Sequence, residues 1–192
     1  MAMQKGRIKN LLKLTNLERL KYPIGKPDIP TVISSEKINE WIIILEEFPA
    51  KLELLVKNLS EEQLNTLYRD GGWSVRQVIH HCADSHHNSY TRFKWALTEE
   101  EPVIKTYYEA RWAELFDSKT APIQLSLNSL KALHAKWVYL LKGLTDDDLN
   151  KCFIHPDGNE KVSLKENIGI YAWHCNHHYQ HINQLLLIKK WL

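Results

Sequence analysis

Residues 74–98 read SVRQVIHHCADSHHNSYTRFKWALT, and the fold follows from how this stretch is read. Ser74 and Gln77 make a Ser-x-x-Gln capping box, Val75, Val78, Ile79, Phe93 and Ala96 recur at helical spacing, and Pro102 stands beyond the far end. The pattern predicts a helix from Ser74 to about Thr98 carrying His80, His81, His86 and His87. Residues 163–192 repeat the arrangement: Ser163 and Glu166 form a second box, and the helix after them carries His174, His177, His178 and His181. Eight of the ten histidines therefore fall on two capped helices. Neutral imidazole is the commonest protein ligand for zinc and related metals, so two such clusters point to a metal site inside a bundle.

Two further helices complete the set. One is predicted from about Glu36 to Asn58, with Trp41, Ile44, Leu45, Phe48, Leu52 and Leu55 as its apolar stripe and a kink at Pro49. The other covers about Ile123 to Lys142, with Leu127, Leu130, Leu133, Trp137, Leu140 and Leu141 inward. Four long amphipathic helices give an all-α class, a four-helix bundle. Leu59-Ser-Glu-Glu-Gln-Leu-Asn65 is echoed by Leu144-Thr-Asp-Asp-Asp-Leu-Asn150, and each copy leads through a Gly-containing connector into a His-bearing helix. The echo reads either as two helix-pair halves or as two ordinary helix starts. The segment from Glu99 to Thr120, with Tyr107, Tyr108 and Trp112, is long enough to cross between the halves and to include a short helix.

Composition bounds the rest. A chain of 192 residues, 44% apolar with seven Gly and seven Pro, fits one compact domain. A net charge of +2 gives no field strong enough for a nucleic-acid partner, and no apolar run is long enough to span a bilayer. Residues 1–21 form a basic extension without the apolar core of a signal peptide, and the odd set Cys82, Cys152 and Cys175 makes no disulfide framework. A cytoplasmic protein is expected.

Helical angles rank the histidines. With His174 at zero, Ile170, Tyr171, Ile182, Leu185 and Ile188 centre near about +20°, so His174 and His178, at about 0° and +40°, occupy the middle of the apolar face. His177 falls at its edge and His181 is intermediate. His174 and His178 are an i, i+4 pair, the spacing of helical zinc sites. On the second helix the same arithmetic from Val75 favours His86, at about +20°, and puts His81 on a flank at about −120°. Asp84 stands about one turn after His81, where a carboxylate can orient an imidazole or simply face solvent. Cys82 follows His81 and Cys175 follows His174, each at about 100°, so each would compete with its neighbouring histidine rather than join it as a ligand. Trp73, Trp95 and Trp173 read as packing residues that can also line a pocket. Three histidine ligands would leave a metal with open positions, as catalytic sites do.

The run Tyr68-Arg69-Asp70-Gly71-Gly72-Trp73-Ser74-Val75-Arg76-Gln77-Val78-Ile79-His80-His81, then Ala83-Asp84-Ser85-His86 and Asn88-Ser89-Tyr90, resembles the YfiT group of the DinB-like superfamily. Tyr22-Pro23-Ile24-Gly25, Arg92-Phe93-Lys94, Asp117-Ser118-Lys119-Thr120, His155-Pro156-Asp157 and Trp173-His174 extend the likeness from about Tyr22 to the end, as one domain over 22–192. The resemblance implies an up-down-down-up bundle and a cytoplasmic, homodimeric, metal-dependent hydrolase with Zn²⁺, or Ni²⁺, on three histidines. Matched position by position, these are His81, His174 and His178, which replaces His86 by His81. The wider superfamily includes enzymes that use low-molecular-weight thiols, so the implied reactions are hydrolysis or S-transfer on a small-molecule substrate. Asp84, His177 and Tyr90 are candidate proton-handling groups. The alternative class is a non-enzymatic metal-binding stress-response or interaction protein.

Overall fold

The computed structural model describes residues 17–192; residues 1–16, most of the expected basic extension, lie outside them, and 17–21 are helical. The long helices are α1 (Ser35–Val56), α3 (Val75–Thr98), α6 (Ile123–Lys142) and α8 (Leu164–Lys189). Between them lie the short helices α2 (Glu61–Leu64), α4 (Glu109–Trp112), α5 (Phe116–Thr120) and α7 (Asp146–Asn150), and a hairpin of β1 (Cys152–His155) and β2 (Glu160–Ser163). α1 runs through Pro49 as one helix. Both capping boxes form, with Ser74 accepting from Gln77 N and Ser163 from Glu166 N. Each cap satisfies one of the free N–H groups at a helix start, worth about 1 kcal/mol.

Packing arranges the long helices in a ring in which α1 and α3 each touch both α6 and α8. Contacts along the pairs fix the directions. His81 meets His174 while Asn167 meets Ser89, so α3 and α8 are antiparallel. His80 meets Ser126 and His86 meets His134, so α3 and α6 are parallel. Trp41 lies against Gly169, and Phe48 shares a cleft with Tyr179, so α1 and α8 are parallel. The path is up-down-down-up. Leu45, Leu52, Val78, Ile79, Phe93, Leu130, Trp137, Ile168 and Ile182 fill the interior with no exposed surface. Each such side chain contributes roughly 1.5–3 kcal/mol by leaving water.

The two echoed heptads form matching capped helices, α2 behind Ser60 and α7 behind Thr145, each with a capping box. A small antiparallel β element follows each, the Leu67–Ser74 bridge in one half and the β1–β2 hairpin, Cys152 opposite Ser163, in the other. The sequence pattern did not show the hairpin. Its strands are four residues each, too short for alternation to register, and its turn needs Gly158 and Asn159 at positive φ.

Two parallel neighbours, α3 and α6, require the intervening chain to travel back along the bundle. It is fastened throughout. Val103 bridges to Ile154, Gln77 Nε2 donates to Ala113 O at 2.8 Å, and Arg76 Nη1 donates to Ala121 O at 2.7 Å. α4 and α5 are the helical part of this crossover, two short helices where the sequence led us to expect one.

Candidate metal centre

The bundle brings one ring nitrogen each from His81, His174 and His178 within 4.8 Å of one another. His81 reaches in from α3, and its Nε2 lies 3.3 Å from His174 Nε2. His174 and His178 stand one turn apart on α8, their rings 4.4 Å between centroids. Two nitrogens bound about 2.0–2.1 Å from one tetrahedral ion are themselves about 3.3 Å apart, so this donor set suits a zinc-like metal. Burial and neighbouring imidazoles hold His81 down to about 4 and push His174 and His178 well below the ordinary imidazole value. All three are thus held in the neutral form, the one that offers a lone pair.

A second trio, His177, His178 and His181, also lies within 4.8 Å but shares His178. His181 Nε2 is bound to Lys21 O at 3.1 Å, and its ring stacks on Tyr68 at 4.1 Å.

The first trio opens on a cavity of about 640 Å³. The loop Tyr68–Trp73 forms its rim. Tyr68 N donates to Trp73 O at 3.0 Å and Gly72 N to Arg69 O at 3.0 Å, a tight turn that uses Gly71 at φ 64°. It presents Tyr68, Arg69 and Trp73 to the opening, with the Trp73 ring 4.6 Å from His81. The crossover supplies Tyr107 and Glu109, the sole carboxylate among the described lining residues, and α3 supplies Ser85. The sequence reading missed both crossover groups. Their only signal was the aromatic content of 99–120, which says nothing about which way a loop folds.

The candidate proton-handling residues divide. His177 lines the cavity, stacks on Trp173 at 4.3 Å and has a buried Nδ1 without a partner among the described residues. Asp84 is not among the lining residues; burial and Asp117 raise its carboxyl to about 6, with His87 opposing. Tyr90 packs on the core with Lys136 over its ring at 5.9 Å, also outside the cavity. Cys82 and Cys175 are fully buried free thiols pushed well up by burial, and Cys152 is free. Among the tryptophans, Trp73 lines the cavity, Trp95 packs against the core, and Trp173 donates from Nε1 to Gly25 O at 3.1 Å.

His86, the residue favoured by angle, is fully buried behind this centre. Its Nε2 lies 3.0 Å from His174 Nδ1, and its Nδ1 lies 2.7 Å from His134 Nε2. His134 Nδ1 in turn meets Leu45 O at 2.6 Å.

The family model of the DinB superfamily matches residues 44–182. The chain belongs to that superfamily. It is 50% identical over 172 residues, 90% of this chain and 97% of the other, to the Bacillus subtilis (strain 168) protein named "Putative metal-dependent hydrolase YfiT". A similarly named protein of Oceanobacillus iheyensis is 50% identical over 171 residues, 89% of this chain and 98% of its own length. The solved structure of the Bacillus subtilis YfiT, described as an unusual four-helix bundle topology, superposes with a TM-score of 0.89 at 49% identity, covering 91% of this chain and 99% of that one. A mycothiol-dependent maleylpyruvate isomerase shares the fold at 15% identity and TM-score 0.57, over 73% of this chain and 60% of that one. The relatives' names and the histidine cluster together imply metal dependence in this superfamily member. No helix among the described residues is long and apolar enough to cross a membrane.

Proposed function

We propose that this chain is a metal-dependent enzyme in which His81, His174 and His178 hold Zn²⁺, with Ni²⁺ as the second choice, and activate a small nucleophile. The observation that carries the reading is the meeting of these three neutral imidazoles at a cavity of small-molecule size, about 640 Å³. A metal held by His81, His174 and His178 would supply Lewis acidity that makes a water or a thiol a nucleophile near neutral pH, which would serve hydrolysis and S-transfer alike. The protein's own groups do the remainder. Trp73 and Tyr68 give a flat apolar wall for the substrate, and Arg69 supplies positive charge at the rim. Among the described lining residues, His177, whose buried Nδ1 has no partner and whose basicity burial lowers to about 3, and the Glu109 carboxylate are the groups left to accept a proton.

A small-molecule substrate follows from the cavity; a low-molecular-weight thiol as co-substrate, a cytoplasmic setting and a homodimer come with the YfiT-group resemblance and are part of the proposal. Elemental analysis of tag-free protein, wild type against His174→Ala, is the first test. It is followed by ester-hydrolysis and thiol-conjugation assays with and without the metal found. Near-stoichiometric metal that the variant loses, with metal-dependent turnover in either assay, supports an enzyme and names the nucleophile. Metal without turnover in either assay moves the reading to a non-enzymatic metal-binding protein, and no metal at all removes it.

A further inference from the structure

His174, His86 and His134 form a continuous chain that ends on a backbone carbonyl, and the chain has a direction. A carbonyl oxygen only accepts hydrogen bonds, so His134 Nδ1, 2.6 Å from Leu45 O, carries a proton. Burial keeps His134 neutral above about pH 4, which leaves its Nε2 as an acceptor. His86 Nδ1, 2.7 Å away, therefore donates to it. His86 is fully buried, and with its proton given to His134 from Nδ1 its Nε2 accepts in turn from His174 Nδ1 at 3.0 Å. Nε2 is then the nitrogen of His174 that bears a lone pair. It is also the atom 3.3 Å from His81 Nε2.

We propose that His86 and His134 are positioning residues that transmit the polarity of the Leu45 carbonyl through the bundle core and fix His174 in the tautomer whose Nε2 lone pair faces the metal centre. The inference rests on the reading of His174 as a ligand. No carboxylate takes part. The usual partner behind a metal-bound imidazole is a carboxylate, a backbone carbonyl or a water. Here the carbonyl belongs to α1, two rings away on the neighbouring face of the bundle, so three of the four long helices combine to orient one ligand. A shorter link of the same sense stands behind His178. His181 Nε2 donates to Lys21 O at 3.1 Å, which leaves His181 Nδ1 facing His178 Nδ1 at 3.4 Å as an acceptor.

The experiment reads the tautomers directly, by imidazole ¹⁵N resonances of the full-length protein in the metal-free and Zn²⁺-loaded states, alongside Zn²⁺ affinity by competition with a chromophoric chelator. Two variants accompany wild type. His134→Leu removes the link, whereas His134→Gln keeps it, because the amide N–H can donate to Leu45 O while the amide oxygen accepts from His86 Nδ1–H. Expected in metal-free wild type are Nδ1–H tautomers for His134, His86 and His174. Expected in His134→Leu is a mixed tautomer population at His174 and a Zn²⁺ affinity lower by about 10- to 100-fold, with His134→Gln restoring both. An Nε2–H tautomer at His174 in metal-free wild type overturns the proposal, as does a folded His134→Leu with unchanged tautomer and affinity. If His134→Leu fails to fold, the wild-type tautomers decide alone. Nδ1–H throughout with no Zn²⁺ binding keeps the chain of hydrogen bonds and removes the metal reading; Zn²⁺ binding with Nε2–H at His174 does the reverse.

Discussion

The Nε2 atoms of His81 and His174 lie 3.3 Å apart across an antiparallel helix pair, a separation that two ligands of one tetrahedral ion would share. His178 adds the third donor from the next turn of α8. Replacing any one of the three with alanine is expected to drop bound metal from near one equivalent to a small fraction, read by elemental analysis after dialysis. The helical circular dichroism should persist, because the bundle core lies on other residues. Chelating the metal from wild type should lower the melting temperature without unfolding the chain at 25 °C, since a ligand at about 100 times its Kd adds only about 2.7 kcal/mol. Unfolding on chelation would mark a structural site instead.

The architecture was legible because it is written in periodicity and caps. Ser74 with Gln77 and Ser163 with Glu166 mark helix starts that the structure reproduces to the residue. The centre was only half legible. On α8 the apolar face and the i, i+4 spacing choose His174 and His178, two of the three residues that converge. On α3 the same reasoning chooses His86, and the structure puts His86 in the core, where the middle of an apolar face belongs. His81 stands on the flank, where the cavity opens, so the angle that ranks burial best passes over it; the family resemblance is what implies it as a ligand. Glu109 and Tyr107 were invisible because the course of a crossover is set by tertiary bonds such as Gln77 to Ala113, which leave no periodic trace.

Acid should weaken the fold through its buried histidines. His134 is 1% exposed, and burial depresses it from the usual 6.5 to about 4. Above pH 6.5 it is neutral both folded and unfolded and imposes no penalty. Between 6.5 and about 4 the unfolded chain takes up the proton that the folded one refuses, so stability falls as pH falls, by roughly 3 kcal/mol for this group alone. His81 and His181, also depressed to about 4, act in the same sense. Urea midpoints of metal-free protein at pH 7 and 4.5 check this, and His134→Gln should flatten the dependence. A midpoint independent of pH would mean these rings are not held neutral.

Gly169 lies in the first half of α8, where a Cβ would stand 2.7 Å from Trp41 Cη2 and 2.9 Å from Ile29 Cδ1. Helix propensity alone favours alanine over glycine there by about 1 kcal/mol. The Trp41 ring is 7% exposed and has little room to retreat, and overpacking of this kind costs about 1–3 kcal/mol. Gly169→Ala is therefore expected to lower stability by about 1 kcal/mol net, seen as a fall in melting temperature. A rise would show that α1 can yield at Trp41.

Loss of His177 and loss of Glu109, taken separately, test which of the two accepts a proton. Neither belongs to the trio of His81, His174 and His178, so His177→Ala and Glu109→Gln should keep the metal. Both line the cavity, and removal of a group that moves a proton typically slows turnover by about 10²- to 10⁴-fold. The variant in which kcat falls with metal content unchanged identifies the proton acceptor. If both keep full activity, the proton leaves by way of solvent.

Arg76 is 2% exposed at the start of α3, yet each of its three guanidinium nitrogens has a partner. Nε donates to Asn65 Oδ1 at 3.1 Å, Nη1 donates to Ala121 O at 2.7 Å, and Nη2 pairs with Glu61. One side chain thus ties the loop after α2 and the end of the crossover to the helix that carries His81. The three bonds are unequal. The Glu61 side chain is 80% exposed, so that pair is screened and worth less than about 1 kcal/mol, whereas the bonds to Asn65 and Ala121 satisfy acceptors around a buried charge. Glu61→Gln should leave the melting temperature within a degree or two of wild type. Arg76→Met keeps the apolar stem but leaves those acceptors unpaired, and is expected to cost about 3 kcal/mol. Since the crossover carries Tyr107 and Glu109 to the cavity, Arg76→Met should also raise KM more than it lowers metal content. An equal loss of stability in the two variants would mean that the exposed carboxylate, rather than the two neutral acceptors, holds Arg76 in place.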